Sequence, residues 1–92
     1  MSYNILVEIR TTAFKHGVIG KSILHAVEFA LFWDSDGFDS DPPKVLILGP
    51  DVSGNILEIV GVMRSARLII FHAMPIRPQF HGLLNAKTEG PQ

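Results

Sequence analysis

The chain has 92 residues, of which 47% are hydrophobic, and it contains no cysteine. This length allows one domain, and the hydrophobic fraction is sufficient for one packed core, which argues against a disordered chain. The absence of cysteine excludes a disulfide framework and a thiolate metal site, and a net charge of −1 gives no overall basic character.

No segment of the sequence predicts a membrane or secretory element. The most apolar stretch, residues 26–33, is interrupted by Glu28 and is too short to cross a bilayer. Residues 1–4 do not begin a basic and then apolar signal sequence. We therefore expect a cytoplasmic protein with no membrane partner.

The predicted elements begin with a strand over residues 3–10, in which Ile5, Val7 and Ile9 form one apolar face. After a short connection the period changes, and apolar residues recur at a spacing of three and four. This spacing predicts a helix over residues 20–33, with an increasingly apolar end.

The segment 34–43 is predicted to be an acidic loop, because it is rich in aspartate, glycine and proline. A calcium loop would place Gly37 sixth, which puts Phe32 first and Pro43 twelfth, and neither residue is a carboxylate. We therefore expect a solvated loop without a metal. Residues 34–41 hold four aspartates, so the rest of the chain has three more cations than anions. That excess is compatible with a modest basic surface and equally with plain solubility.

Three further strands follow this loop. Short apolar runs rich in β-branched residues alternate with turns of Gly, Pro, Ser and Asp, which is typical of an antiparallel meander. Pro75 and Pro78 end the last strand, since proline cannot donate a hydrogen bond to a sheet. The strands are predicted over residues 44–49, 55–63 and 67–74.

Two side chains of this meander need an explanation. Glu58 lies in an otherwise apolar strand and requires a partner or an exposed position. Simple alternation places His72 on the same face as Leu68, Ile70 and Met74.

A short helix over residues 78–84 is predicted to close the fold. Residues 1–86 then form a single domain, and residues 87–92 form a flexible tail. The order of strand, helix, three strands and short helix predicts an α+β fold, with the helices packed on one face of a small antiparallel-rich sheet.

Several kinds of chemistry have no motif in this sequence. The four histidines have no i, i+4 pairing, and there is no zinc, phosphate-loop, dinucleotide or nucleophile-elbow motif. We therefore expect no metal, no cofactor and no nucleophilic hydrolase chemistry.

Basic and imidazole side chains instead lie at the ends of predicted elements. Metal-independent RNA cleavage requires an acid and a base for the 2′-hydroxyl and the leaving 5′-oxygen, and a cation for the phosphate. Imidazole titrates in the required range, and guanidinium can bind two phosphate oxygens. The alternative is a set of structural histidines and solvated arginines, and His25 is interpreted as a surface residue. The candidates are Lys15, His16, Arg64, Arg67, His72, Arg77 and His81.

Three segments resemble a known family. The segments KHGV (15–18), VLILGPDVSGNILEIV (45–60) and LIIFHAMPIRPQF (68–80) are similar to the BrnT-type toxins of bacterial type II toxin–antitoxin systems, which are related in fold to RelE and ParE. His16 matches the family's His-Gly at the start of the helix. Met74 occupies a position where the family often has arginine, and Arg77 follows three positions later.

The resemblance implies an endoribonuclease toxin that cleaves mRNA, free or ribosome-bound, and thereby inhibits translation. It also implies a cognate antitoxin as partner, and contact with operator DNA only through that antitoxin. The resemblance gives His72 the general acid/base role and Arg77 the phosphate, with His16 as a second catalytic group. The RNA-binding candidates are Lys15, Arg64, Arg67 and His81.

Two other functions remain open at this point. A small β-rich domain can act as a non-catalytic binding module through a sheet edge or the aromatic end of its helix. A ParE-like gyrase poison is the other alternative, because one fold hosts several activities.

Overall fold

The computed structural model describes residues 5–35 and 42–89, the last four by their backbone only. The chain forms a small α+β fold with a five-stranded mixed sheet and two helices. Two 3₁₀ turns, Thr11–Phe14 and Pro78–Phe80, precede the helices. The elements are β1 (Leu6–Ile9), α1 (Gly20–Glu28), β2 (Phe32–Asp34), β3 (Lys44–Pro50), β4 (Ile56–Arg64), β5 (Arg67–Pro75) and α2 (His81–Glu89).

The strands lie side by side in the order β1-β5-β4-β3-β2. The pairs β2–β3, β3–β4 and β4–β5 are antiparallel, and the run from β3 to β5 confirms the predicted three-stranded meander. Strand β1 lies parallel to β5 at one edge of the sheet. Because α1 lies between β1 and β2 in the chain, it carries the backbone from one edge of the sheet to the other.

Helix α1 is shorter than predicted. It ends at Glu28, and the expected last turn of the helix is replaced by the edge strand β2. The Leu31 amide donates to the Leu48 carbonyl at 2.8 Å, and Phe32 and Trp33 continue the pairing along β3. The free edge of β3 offers backbone hydrogen bonds that a longer helix would leave unpaired, and aromatic residues suit a strand.

The two helices lie on opposite faces of the sheet, so the prediction of a single covered face was wrong. In β3, Val45 and Ile47 face α1, whereas Leu46 and Leu48 face α2. Since β3 and β4 are apolar on both sides, each side requires its own cover. The α1 side includes Ile23, Ala26, Ile59, Leu68 and Ile70, and the α2 side includes Val60, Phe80, Leu83 and Leu84.

A β-bulge interrupts the pairing of β4 with β5. Val60 pairs with His72, but the next residue, Gly61, pairs with Ile70, which leaves Phe71 as an extra residue in β5. An extra residue shifts the alternation of side chains along the strand.

The bulge decides which way His72 faces. Ile70 and Ala73 are both fully buried beneath α1, although they are three positions apart. The prediction that His72 shares a face with Ile70 was therefore wrong. A Cβ on Gly61 would lie only 3.1 Å from the carbonyl carbon of Ile69, so the bulge requires a glycine opposite it.

Parts of the sequence prediction lie outside the described residues. These are residues 1–4, 36–41 and 90–92, which include most of the acidic loop. Helix α2 continues to Glu89, within the segment that was predicted to be a tail. Within the described ranges, neither helix has the length and apolar character that crossing a membrane would require.

Helix α1 packs directly on the backbone of β3 at Gly49. A Cβ at this position would lie 2.9 Å from the carbonyl carbon of Ala26 and closer still to its oxygen. We expect Gly49→Ala to lower the free energy of unfolding by about 1–3 kcal/mol, because helix and sheet must move apart. Urea denaturation measures this change.

Gly82→Ala is the matched control, because a Cβ on Gly82 in α2 meets no atom within 4 Å. Its unfolding free energy should be unchanged or higher by up to about 1 kcal/mol, since alanine favours a helix. Equal urea denaturation midpoints for Gly49→Ala and Gly82→Ala would contradict the direct contact of α1 with β3.

Candidate functional site

The centre of the candidate site is the carboxylate of Glu58. Its side chain is fully buried in β4, and it is the one buried charged residue in the described part of the chain. Three neighbouring groups donate to it, which are the His72 ring, the Arg77 backbone and the Arg77 guanidinium. The partner that the sequence required for Glu58 is therefore supplied by two of the predicted catalytic residues.

His72 reaches Glu58 because the bulge turns it to the α2 side of the sheet. Its Nε2 lies 2.9 Å from Oε2 of Glu58, and the histidine side chain is 23% exposed. Glu58 pairs with Met74, two positions from His72, so both side chains project from adjacent strands on one face.

Arg77 follows the end of β5 and holds both carboxylate oxygens. The Ile76 amide donates to the Ile56 carbonyl, which keeps the chain beside β4 past the end of the strand. The Arg77 amide then donates to Oε1 of Glu58 at 2.9 Å. Its Nε lies 3.1 Å from Oε1 and 3.0 Å from Oε2, and its Nη2 lies 2.7 Å from Oε2. Two-point binding of this kind fixes the plane of the carboxylate.

The charges in this cluster stabilise one another. Burial by itself raises the pKa of Glu58, but hydrogen bonds from Arg77 and His72 and the positive charge of Arg77 outweigh it, so the pKa lies below its ordinary value. The hydrogen bond to Glu58 in turn raises the pKa of Arg77. The carboxylate is therefore ionised at neutral pH, and Nε2 of His72 is the donor in their hydrogen bond.

His16 approaches His72 from the connection between β1 and α1. The two ring centroids are 5.6 Å apart in an edge-to-face arrangement. The first 3₁₀ turn is fixed to β5 by Thr12, whose hydroxyl donates to the Phe71 carbonyl at 2.9 Å. Gly17 then takes a φ of +83°, a conformation that favours glycine, and redirects the chain into α1. This local structure places an exposed imidazole next to His72.

A groove of about 280 Å³ adjoins His16. The hairpin turn between β3 and β4 forms one of its walls, where Asp51 accepts the Ser53 and Asn55 amides at 2.9 and 2.8 Å. Desolvation raises the pKa of Asp51, but hydrogen bonds from Asn55 and its neighbours lower it below its ordinary value. The lining of the groove therefore includes the ionisable side chain of Asp51 and the apolar residue Leu57.

Two of the predicted RNA-binding residues lie apart from this cluster. Arg64 and Arg67 lie opposite each other in the β4–β5 ladder, at the far end of the hairpin. This end is roughly 15 Å along the strand from His72. Arg67 also forms an ion pair with Glu8 at 3.6 Å. Both arginines line a second groove of about 410 Å³.

The other two RNA-binding candidates lie closer in the chain to the cluster. Lys15 is exposed and directly precedes His16. His81 is exposed at the start of α2, and no hydrogen bond, ion pair or ring contact joins it to His72 within the described ranges. The Arg77 guanidinium lies 5.7 Å from the centre of the Phe80 ring, just before His81.

His25 is a structural residue, and its interpretation as surface was wrong. It is half-buried, its Nδ1 donates to the Pro50 carbonyl at 2.8 Å, and its ring lies 4.6 Å from that of Phe29. This bond ties α1 to the end of β3.

Residue type and position were sufficient to identify His16, His72 and Arg77 as site candidates. They did not predict the central role of Glu58. Its signal in the sequence was a single acidic residue within an apolar strand. No group of three or more potential ligands in the described parts of the chain is arranged to hold a metal ion.

Comparison with family models, with curated proteins and with solved structures finds no match to this chain.

The stability that Glu58 contributes should depend on pH. The pKa of Glu58 is lower in the folded chain than its ordinary value of 4.5. The contribution of Glu58 to the free energy of unfolding is therefore complete above pH 4.5 and is lost as pH falls through the pKa of the folded chain. We expect Glu58→Gln to lower the free energy of unfolding by about 2–3 kcal/mol at pH 7, and the gap from the parent to narrow below pH 4. Denaturant titrations at several pH values measure this.

Glu28→Gln serves as the control, because Glu28 is exposed and has no hydrogen bond or ion pair within residues 5–35 and 42–89. Its stability should follow the parent at every pH. A constant gap between parent and Glu58→Gln from pH 7 to pH 3 would contradict the ionised, stabilising carboxylate.

Proposed function

We propose that this chain is a metal-independent endoribonuclease, the toxin of a bacterial type II toxin–antitoxin system with a BrnT- or RelE-like fold. The observation that carries the proposal is the contact of the His16 and His72 rings beside the Glu58–Arg77 ion pair. The three residues predicted to be catalytic, His16, His72 and Arg77, thus belong to one cluster.

The chemistry requires two proton transfers. The 2′-oxygen attacks phosphorus and loses its proton to a base, while the bond from phosphorus to the 5′-oxygen breaks and an acid protonates that oxygen. The products are a 2′,3′-cyclic phosphate and a 5′-hydroxyl. Because attacking and leaving oxygens lie in line on opposite sides of phosphorus, acid and base must approach from different directions. His16 and His72, which come from separate segments of the chain, supply the two proton-transfer groups in this scheme.

Arg77 can also contact the phosphate. Its side chain is 44% exposed, and Nη1 is not among the nitrogens that donate to Glu58. A guanidinium edge beside the two imidazoles would stabilise the negative charge on the phosphate oxygens. Lys15, next to His16, would add a second cation. Arg64 and Arg67 would bind phosphates several nucleotides away.

No cofactor takes part in this scheme. The substrate would be mRNA in the cytoplasm, either free or on the ribosome, and the cognate antitoxin would be a second partner that alone contacts operator DNA. Apolar side chains around the end of α1 and β2 offer a surface for such a protein. They are 40–51% exposed and comprise Leu24, Phe29, Leu31 and Trp33.

The same apolar surface favours the second candidate, a non-catalytic binding module. An edge strand next to exposed aromatic residues can take up a partner strand. In that case the histidine cluster would only stabilise the fold.

Expression in a bacterial host, with growth and total RNA followed over time, separates these functions. We expect the parent to stop growth and fragment RNA, and His72→Ala or His16→Ala to reduce cleavage about 100-fold or more, because each removes a proton-transfer group. Glu28→Ala should behave like the parent. Circular dichroism on each purified variant checks that it is folded.

Growth arrest with intact RNA would instead indicate a gyrase poison, and normal growth with soluble protein would indicate the binding module. Cleavage that persists in folded His72→Ala would remove His72 from the mechanism.

Purified protein should cleave RNA in the presence of a chelator at an unchanged rate, because the scheme uses no metal. An RNA with a 2′-deoxy sugar at the cleavage site should resist completely, since it lacks the attacking oxygen. Mass spectrometry of the fragments should find 2′,3′-cyclic phosphate ends. Loss of activity with the chelator, or cleavage of the deoxy substrate, would contradict the scheme.

A further inference from the structure

We infer that Glu58 is a positioning residue, which holds His72 in the tautomer protonated at Nε2 and so makes Nδ1 of His72 the general base, with His16 as the acid. The catalytic half of this inference rests on the proposed ribonuclease function. The tautomer follows from the contacts alone and is tested separately.

The tautomer is fixed by what each atom can donate. An ionised carboxylate has no hydrogen, so the 2.9 Å contact between Oε2 of Glu58 and Nε2 of His72 requires a proton on Nε2. A neutral imidazole has only one proton on nitrogen, and Nδ1 is then the acceptor. Within the described residues no hydrogen bond occupies Nδ1, and the side chain is 23% exposed.

Arg77 keeps the carboxylate in the orientation that His72 requires. Its backbone amide holds Oε1, its Nε lies near both oxygens, and its Nη2 holds Oε2. A fully buried carboxylate could not stay ionised without such a partner. Arg77 therefore acts on His72 through Glu58, in addition to any contact with phosphate.

The assignment of base and acid follows from these neighbours. Among the described residues, the charged or titratable groups in contact with the His72–Glu58 pair are Arg77, from the segment after β5, and His16, from the segment before α1. With Nε2 donating to the carboxylate, the lone pair of Nδ1 is available to take the 2′-hydroxyl proton, and the carboxylate lies beside the imidazolium that then forms. His16 has no such carboxylate in the described structure and is left to protonate the 5′-oxygen.

The tautomer can be measured without any activity. Two-bond ¹H–¹⁵N correlation spectra of ¹⁵N-histidine-labelled protein distinguish a protonated Nδ1 from a protonated Nε2, and a His72→Gln spectrum assigns the His72 signals by their loss. We expect neutral His72 to carry its proton on Nε2. A proton on Nδ1, or an equal mixture, would overturn the positioning role even if the protein cleaves RNA.

A substrate with a modified leaving group tests the assignment of acid and base. An RNA in which sulfur replaces the 5′-oxygen at the cleavage site needs no acid, because thiolate leaves unprotonated. We expect this substrate to restore His16→Ala to within about tenfold of the parent and to leave His72→Ala inactive. Rescue of His72→Ala in place of His16→Ala would reverse the roles and overturn the inference.

Two variants separate positioning from stability. Glu58→Gln should lower kcat about 10- to 100-fold with little change in KM, since the carboxylate does not contact the substrate. His72→Gln can keep a donor toward Glu58 but has no base, so it should fold like the parent and fail to cleave. Full activity in either folded variant would contradict the role of the pair. If the parent itself does not cleave RNA, the catalytic half falls with the proposed function, whereas the tautomer measurement still decides the positioning half.

Discussion

The fold and the candidate site both depend on one buried charge. Glu58 lies in a central strand, where an unpaired carboxylate would cost several kcal/mol. Its partners come from β5 and from the segment that leads into α2, so satisfying the charge also fixes the C-terminal part of the chain against the sheet. His72 and Arg77, two of the residues proposed to act on RNA, are thus held by the same bonds that complete the core.

The sequence was sufficient to predict the elements whose signals are local. The strands β3, β4 and β5 consist of β-branched and aliphatic runs between turns, and the start of α1 follows from a change of period. Strand β2 could not be predicted in this way, because Phe32 and Trp33 suit a helix end as well as a strand. What decides between them is the free edge of β3, which is distant in sequence. The covering of both faces of the sheet could not be predicted for the same reason, because it depends on the face against which α2 packs.

Only the part of the site with a local signal in the sequence could be predicted. Histidine and arginine at element ends identified His16, His72 and Arg77 by chemistry alone, and Glu58 was recognised as needing a partner. That these side chains meet depends on a single extra residue in β5, for which Gly61 was the available signal. The alternation rule, applied without the bulge, turned His72 to the wrong side. Arg64 and Arg67 were identified by the same chemistry, but they lie at the other end of the hairpin, apart from the cluster.

The parallel pairing of β1 with β5 has a consequence for how the molecule forms. Leu6 lies beside Arg67, sixty-one positions later in the chain. Pairing between such distant segments closes late and slows folding. During synthesis β1 lacks its partner strand until β5 has left the ribosome, and Arg77 emerges later still. The cluster therefore cannot assemble before Arg77 has left the ribosome, and any activity it has begins only after that point of translation.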